Sequence, residues 1–154
     1  AAAEALPKQF SYIDGERIAI FGWSFGGYNT LMSLCRGKVF RAGVAVAPVT
    51  DWRFYDTVYT ERFMATPQVN NKGYEASSVL SIAHNLHGDL LVIHGTADDN
   101  VHLQNTMRLA TELVKADIPF EMATYTDKDH SIYGGNNRQH LYSRIIEFLD
   151  RKLK

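Results

Sequence analysis

Cysteine is almost absent from this chain. Cys35 is the one thiol in 154 residues, so no disulfide can close within it. A free cysteine behaves as a small hydrophobe, and a packing role is the simplest expectation for Cys35. Long apolar runs are missing as well. No stretch approaches the roughly 20 apolar residues that a helix needs to cross a bilayer. The opening AAAEALPKQF has neither the basic start nor the long apolar middle of a secretory leader. Charge of one sign is also missing. The 16 Lys and Arg against 17 Asp and Glu leave a formal net charge of −1. That balance supplies no field to gather nucleic acid or an anionic membrane surface. No His, Cys and acidic cluster has ligand spacing, and His94 with His102 matches no standard site, so neither metal nor cofactor is expected. Internal repeats and low-complexity tracts are absent too.

What remains is the composition of a folded domain, 45% hydrophobic and 21% charged, at a length that suits about one domain with a real core. Four segments read as strands: 18–21, AGVAVA (42–47), DLLVIHG (89–95) and PFEMATY (119–125). Two of these are continuous apolar runs, as in strands buried on both faces. Helical patterns fall between and after them. One runs over 25–35 and one over 102–116, with Leu103, Met107, Leu109, Ala110, Leu113 and Val114 as its apolar stripe. A third closes the chain, with Leu141, Ile145, Phe148 and Leu149 facing inward. Strands separated by helices predict an α/β fold with a mostly parallel sheet of about four strands. From 48 to about 83 the periodicity breaks into an aromatic-rich insertion of short helices and loops.

The chemistry centres on IAIFGWSFGGYNT (18–30). Ser24 has glycines at −2, +2 and +3, after an apolar strand and before a helix. That is the pattern of a nucleophile elbow, in which small neighbours let strand and helix close while the serine points outward. A serine hydroxyl needs a base to take its proton, usually a histidine oriented by a carboxylate. In elbow-bearing α/β domains the chain order is Ser, then acid, then His, each just past a strand end. HGTADDNVH offers Asp98 and Asp99, and TDKDHSI offers His130. His94 lies within a strand, His84 and His87 precede one, and His102 and His140 lie on or beside helices. These five read as packing or surface histidines. The residues alone do not separate Asp98 from Asp99. Asp99 or Asn100 also suits a cap for the helix that follows.

With GWSFGGY, AVAPVTDWRFYDTVYTERFM, HGTADDNVH and TDKDH in hand, the chain from about Asp14 onward resembles the prolyl oligopeptidase family of serine peptidases, in its dipeptidyl-peptidase branch. The resemblance implies the carboxyl-terminal part of an α/β-hydrolase domain. It also implies a triad of Ser24 as nucleophile, Asp98 as orienting acid and His130 as base, which decides between the two aspartates. The Phe25 N–H would support the oxyanion; the best-known member of the family has tyrosine there, and a backbone donor does not depend on that change. Val49, Trp52, Tyr55, Tyr59 and Val101, beside Phe25, would line a slot for a proline-like side chain. Asn100 would hydrogen-bond a substrate carbonyl. Arg62 lies in the same block with no role implied.

The resemblance further implies peptide substrates with proline or alanine at the second position, cleaved through an acyl-enzyme. Other readings are an acyl-peptide or prolyl endopeptidase, an esterase, or a non-catalytic interaction module. Two family features have no counterpart in these residues: a tyrosine hydroxyl that completes the oxyanion hole, and the acidic residues of a β-propeller that grip the substrate amine. The chain, 1–154, therefore reads as a fragment of a longer peptidase, weakly active or inactive alone. Its parent would be periplasmic, secreted or membrane-anchored. The elbow strand would lie at a bare sheet edge, which favours self-association there or through the family's dimer surface.

Overall fold

The computed structural model describes residues 2–154. Its sheet has four parallel strands in the order β1-β2-β3-β4: Ala19–Trp23, Ala42–Val46, Asp89–Gly95 and Glu121–Tyr125. The six α-helices are α1 (Ala2–Gln9), α2 (Phe25–Arg36), α3 (Thr57–Met64), α4 (Asn71–Ser77), α5 (Gln104–Lys115) and α6 (Asn137–Lys152). This is the α/β sheet with flanking helices that the periodicity predicts. α2 and α5 are the connections between parallel neighbours. The 48–83 insertion resolves into α3, α4 and two 3-10 turns, Trp52–Phe54 and Leu80–Asn85.

The alternation of side chains along β2 and β3 sorts the core into two layers. Val44, Val46, Leu91 and Ile93 face α6, where they meet Leu141, Ile145 and Phe148. Ala45, Leu90 and Val92 face the other way, onto Leu31, Leu34 and Cys35 of α2 and Leu109 and Leu113 of α5. A side chain on Gly43 would strike Leu34 and Thr30, so glycine there lets α2 lie close on the sheet. Cys35 is buried in this layer, and burial raises its thiol pKa to about 11. A thiol held in that way is protonated and inert at neutral pH.

Two stripe residues depart from the sequence expectation. Met107 and Val114 of α5 are 46% and 69% exposed. The helix turns its more polar Asn105 and Thr106 inward instead, because both have buried hydrogen-bond partners at the strand ends. The short amino-terminal helix α1 was not predicted, and it buries none of its side chains. No helix among the described residues is long and apolar enough to cross a membrane.

Candidate active site

Parallel strands share one carboxyl end, and the loops there carry the candidate residues. β1 ends at Trp23, and Ser24 follows with φ 59° and ψ −119°. That is a strained conformation for a residue with a side chain. Its amide is tied to the end of the neighbouring strand by a 2.8 Å bond to the Val46 carbonyl. A Cβ on Gly22 would fall on the Gly26 carbonyl, and one on Gly27 would press on Pro48. Glycine at these two positions is what lets strand, turn and helix close. The Ser24 side chain caps nothing in α2. Beside it, the Phe25 N–H belongs to the first turn of a 12-residue helix and has no acceptor within that helix. It is a free donor at the positive end of the helix dipole.

The loop after β3 presents Asp98, buried to 5% exposure. The loop after β4 presents His130, whose side chain is 22% exposed. They meet at 2.7 Å, His130 Nδ1 to Asp98 Oδ2. An ionised carboxylate only accepts, so Nδ1 carries the proton and Nε2 of the neutral ring keeps a free lone pair. Asp98 Oδ1 accepts from the Asn100 and Val101 amides at 3.0 and 2.9 Å. Burial acts to raise the Asp98 pKa, but hydrogen bonds from His130, His94 and the Val101 amide outweigh it and hold the carboxyl well below the usual range. Asp99, by contrast, is exposed and makes no such contact with His130. Neither Asp99 nor Asn100 caps α5, whose cap position is Leu103.

Ser24 and His130 sit at the same end of the sheet without a hydrogen bond between their side chains. A different contact joins their segments. The indole of Trp23 donates to the His130 carbonyl at 2.9 Å, and Arg138 stacks over that indole while donating to the Ser131 carbonyl. Catalytic hydrogen bonds often tighten only when substrate binds.

Val49, Trp52 and Val101 are buried together with Tyr74, and Tyr28, Tyr55 and Met64 pack on them. Trp52 stacks on Tyr59 and meets Tyr55 edge-on, with ring centroids 6.2 and 5.9 Å apart. A slot of about 250 Å³ opens among Phe25, Tyr28, Trp52, Tyr59, Thr60, Phe63 and Met64. Val49, Tyr55 and Val101 back this slot and do not face it. Tyr28, Thr60, Phe63 and Met64 are wall residues that the sequence reading passed over. Phe63 and Met64 follow Tyr59 and Thr60 by four positions on α3, and Tyr28 follows Phe25 by three on α2, which is the spacing that puts them on shared helix faces. The Tyr55 hydroxyl donates to Asn100 Oδ1 at 2.9 Å, which leaves the amide NH2 as a free donor. Arg53 anchors the Trp52 turn through Asp51, Asn71 and Glu75.

The model of the prolyl oligopeptidase family matches residues 1–154. The chain belongs to the prolyl oligopeptidase family. It is 49% identical over 144 residues to a probable dipeptidyl-aminopeptidase B of Grosmannia clavigera, covering 90% of this chain and 15% of that protein. It is 48% identical over 149 residues to dipeptidyl peptidase 4 of Felis catus, covering 92% and 20%. The crystal structure of Porphyromonas gingivalis dipeptidyl peptidase 4 superposes with a TM-score of 0.95 at 62% identity, covering 99% of this chain and 22% of that one. Thus the chain spans about a fifth or less of the length of these members of the prolyl oligopeptidase family.

His94 also belongs to this candidate site, although the sequence reading gives it a packing role. It is fully buried, with Nε2 at 3.2 Å from Asp98 Oδ2. Its place four residues before Asp98, at a strand end, was the only hint. Among the described residues no group of three or more His, Cys, Asp and Glu could hold a metal ion.

The lowered pKa of Asp98 makes a prediction with a definite sign. A carboxyl whose folded pKa is depressed adds stability above its unfolded value, near 4, and that stability is lost as pH falls below it. Asp98→Asn is therefore expected to be less stable than wild type at pH 7, with the gap narrowing at pH 3. Urea unfolding of both proteins at the two pH values measures this. A gap that stays constant or widens on acidification would contradict it.

Proposed function

We propose that this chain is the carboxyl-terminal part of the catalytic domain of a serine exopeptidase that removes Xaa-Pro and Xaa-Ala dipeptides. The observation that carries the proposal is the 2.7 Å contact between His130 Nδ1 and the buried Asp98 carboxylate, at the sheet end that also presents Ser24 in a strained turn.

In this reading His130 Nε2 takes the Ser24 proton as Oγ attacks the scissile carbonyl. The imidazolium that forms is stabilised by Asp98. The Phe25 N–H donates to the oxyanion, and the imidazolium then protonates the leaving amine. Water, deprotonated by His130 in turn, hydrolyses the acyl-enzyme and frees the dipeptide. The slot walled by Phe25, Trp52 and Tyr59, backed by Val49, Tyr55 and Val101, takes the penultimate residue. Its flat apolar walls suit a pyrrolidine ring, which is compact and poor in hydrogen bonds. The Asn100 NH2, oriented by Tyr55, holds a substrate carbonyl. The names of the relatives, dipeptidyl peptidase 4 and dipeptidyl-aminopeptidase B, support the dipeptide-releasing form of this chemistry over an endopeptidase or esterase.

In the relatives named above, most of the protein lies outside the region matched, so length control and full oxyanion stabilisation are assigned here to a longer parent. One lost oxyanion donor costs about 100- to 1,000-fold in turnover. The test is hydrolysis of Gly-Pro-p-nitroanilide by the full-length protein. Steady cleavage, abolished in Ser24→Ala and by acylating the substrate amine, is expected. Equal cleavage of the amine-blocked substrate would point to an endopeptidase. Activity surviving Ser24→Ala would overturn the mechanism.

We also propose that the 154-residue chain self-associates through β1, which lies at the edge of the sheet with Phe21 48% exposed. Sedimentation at high concentration is expected to show dimers that Phe21→Lys weakens. A strictly monomeric chain would refute this.

A further inference from the structure

We propose that His94 is a positioning residue: together with Thr106 it fixes the Asp98 carboxylate and the Val101 wall segment as one unit. The inference rests on the triad reading given above.

A fully buried imidazole must satisfy both ring nitrogens, and His94 does so. Nδ1 lies 2.7 Å from the Thr106 hydroxyl on α5. Nε2 faces two oxygens, the Val101 carbonyl at 2.8 Å and Asp98 Oδ2 at 3.2 Å. A carbonyl and a carboxylate only accept, so Nε2 must carry the hydrogen. Nδ1 of the neutral ring is then an acceptor, and Thr106 is the donor that keeps it so. The opposite tautomer would set a lone pair against two acceptor oxygens.

The consequence lies at Asp98. Its Oδ2 is shared between two imidazoles, His130 at 2.7 Å and His94 at 3.2 Å, while Oδ1 takes the amides of Asn100 and Val101. A carboxylate offers about four lone-pair sites; His130 and the two amides take three of them, and the His94 Nε2–H, shared with the Val101 carbonyl, faces the fourth. With the His94 contact removed, Oδ2 is restrained by His130 alone, the partner it is meant to orient. The Val101 carbonyl would also lose its buried donor. The same ring thus steadies both the acid behind the base and the loop that carries Asn100 and Val101. A merely space-filling histidine would need neither the Nε2–H tautomer nor Thr106.

The test combines a reading of protons with a reading of turnover. Long-range ¹⁵N–¹H NMR on the 154-residue chain is expected to show His94 protonated at Nε2 and a protected His130 Nδ1–H signal. His94→Leu, which keeps bulk and removes the donor, is expected to lose the His130 signal. In the full-length protein it should lower kcat/KM for Gly-Pro-p-nitroanilide about 10- to 100-fold, the size of effect seen when outer partners of metal-bound histidines are removed. His94→Gln, whose amide N–H reaches toward the same oxygens, should recover most of that loss. Should His94→Leu fail to fold, Thr106→Val carries the test, with a several-fold drop that Thr106→Ser restores. A folded His94→Leu or Thr106→Val with wild-type kcat/KM and an intact His130 signal would overturn the proposal. A wild-type protein with the NMR pattern intact but no turnover would end the peptidase reading and leave the positioning of Asp98 standing.

Discussion

The hydrogen bond between His130 and Asp98 is the contact on which the rest of the site depends. It joins residues 32 positions apart, on loops that follow β3 and β4, and those strands are parallel neighbours. The loops pack so closely that a side chain on Gly95 would strike the Lys128 carbonyl. The bond therefore exists only when the strands pair in their observed register. It also sets a demand that the surroundings must meet. A carboxylate taken out of water needs compensation, or it protonates and loses its use as an orienting charge. Two imidazoles and two loop amides supply that compensation at Asp98.

Strained backbone recurs at this end of the sheet, in the turn after β1 and in the loop after β4. Ser24 has φ 59°, and Ile132, two residues after His130, has φ 49°. A left-handed backbone is costly for a β-branched side chain, of order 1–3 kcal/mol. Ile132 holds it because its side chain is fully buried among Leu141, Ile145 and Phe148. The core under α6 thus fixes the histidine loop from below, while Trp23 and Arg138 grip its carbonyls from the side of the serine. Ordinary packing energy is converted here into the placement of Ser24 and His130.

Much of this was legible in the residue order. Apolar runs mark β2 and β3 because strands buried on both faces leave no room for polar side chains. The glycines around Ser24 and the order of Ser24, Asp98 and His130 follow from needs that any nucleophile elbow shares. What escaped was of a different kind. The choice of Asp98 over Asp99, left open by the residues themselves and made only by the family resemblance, depends on which loop carboxylate turns inward, and neighbouring residues of one type carry no trace of that. His94 hides in an apolar strand, since its partners Thr106 and Val101 reach it only once α5 packs on the sheet. Met107 and Val114 fit a helical stripe but face solvent, because buried hydrogen bonds of Asn105 and Thr106 set the rotation of α5. Tertiary polar contacts override local pattern at each of these places.

The aromatic insertion gains its shape in the same way, as Arg53 ties the Trp52 turn to α4 and Tyr55 orients Asn100. None of these residues is reactive; they matter only if Ser24 is a nucleophile activated by His130. Labelling with a fluorophosphonate, followed by intact mass and peptide mapping, tests that claim directly on the purified chain. The account predicts a single adduct on Ser24, lost in Ser24→Ala and strongly slowed in His130→Ala. Ser24 labelling that is no faster with His130 than without it would contradict the account.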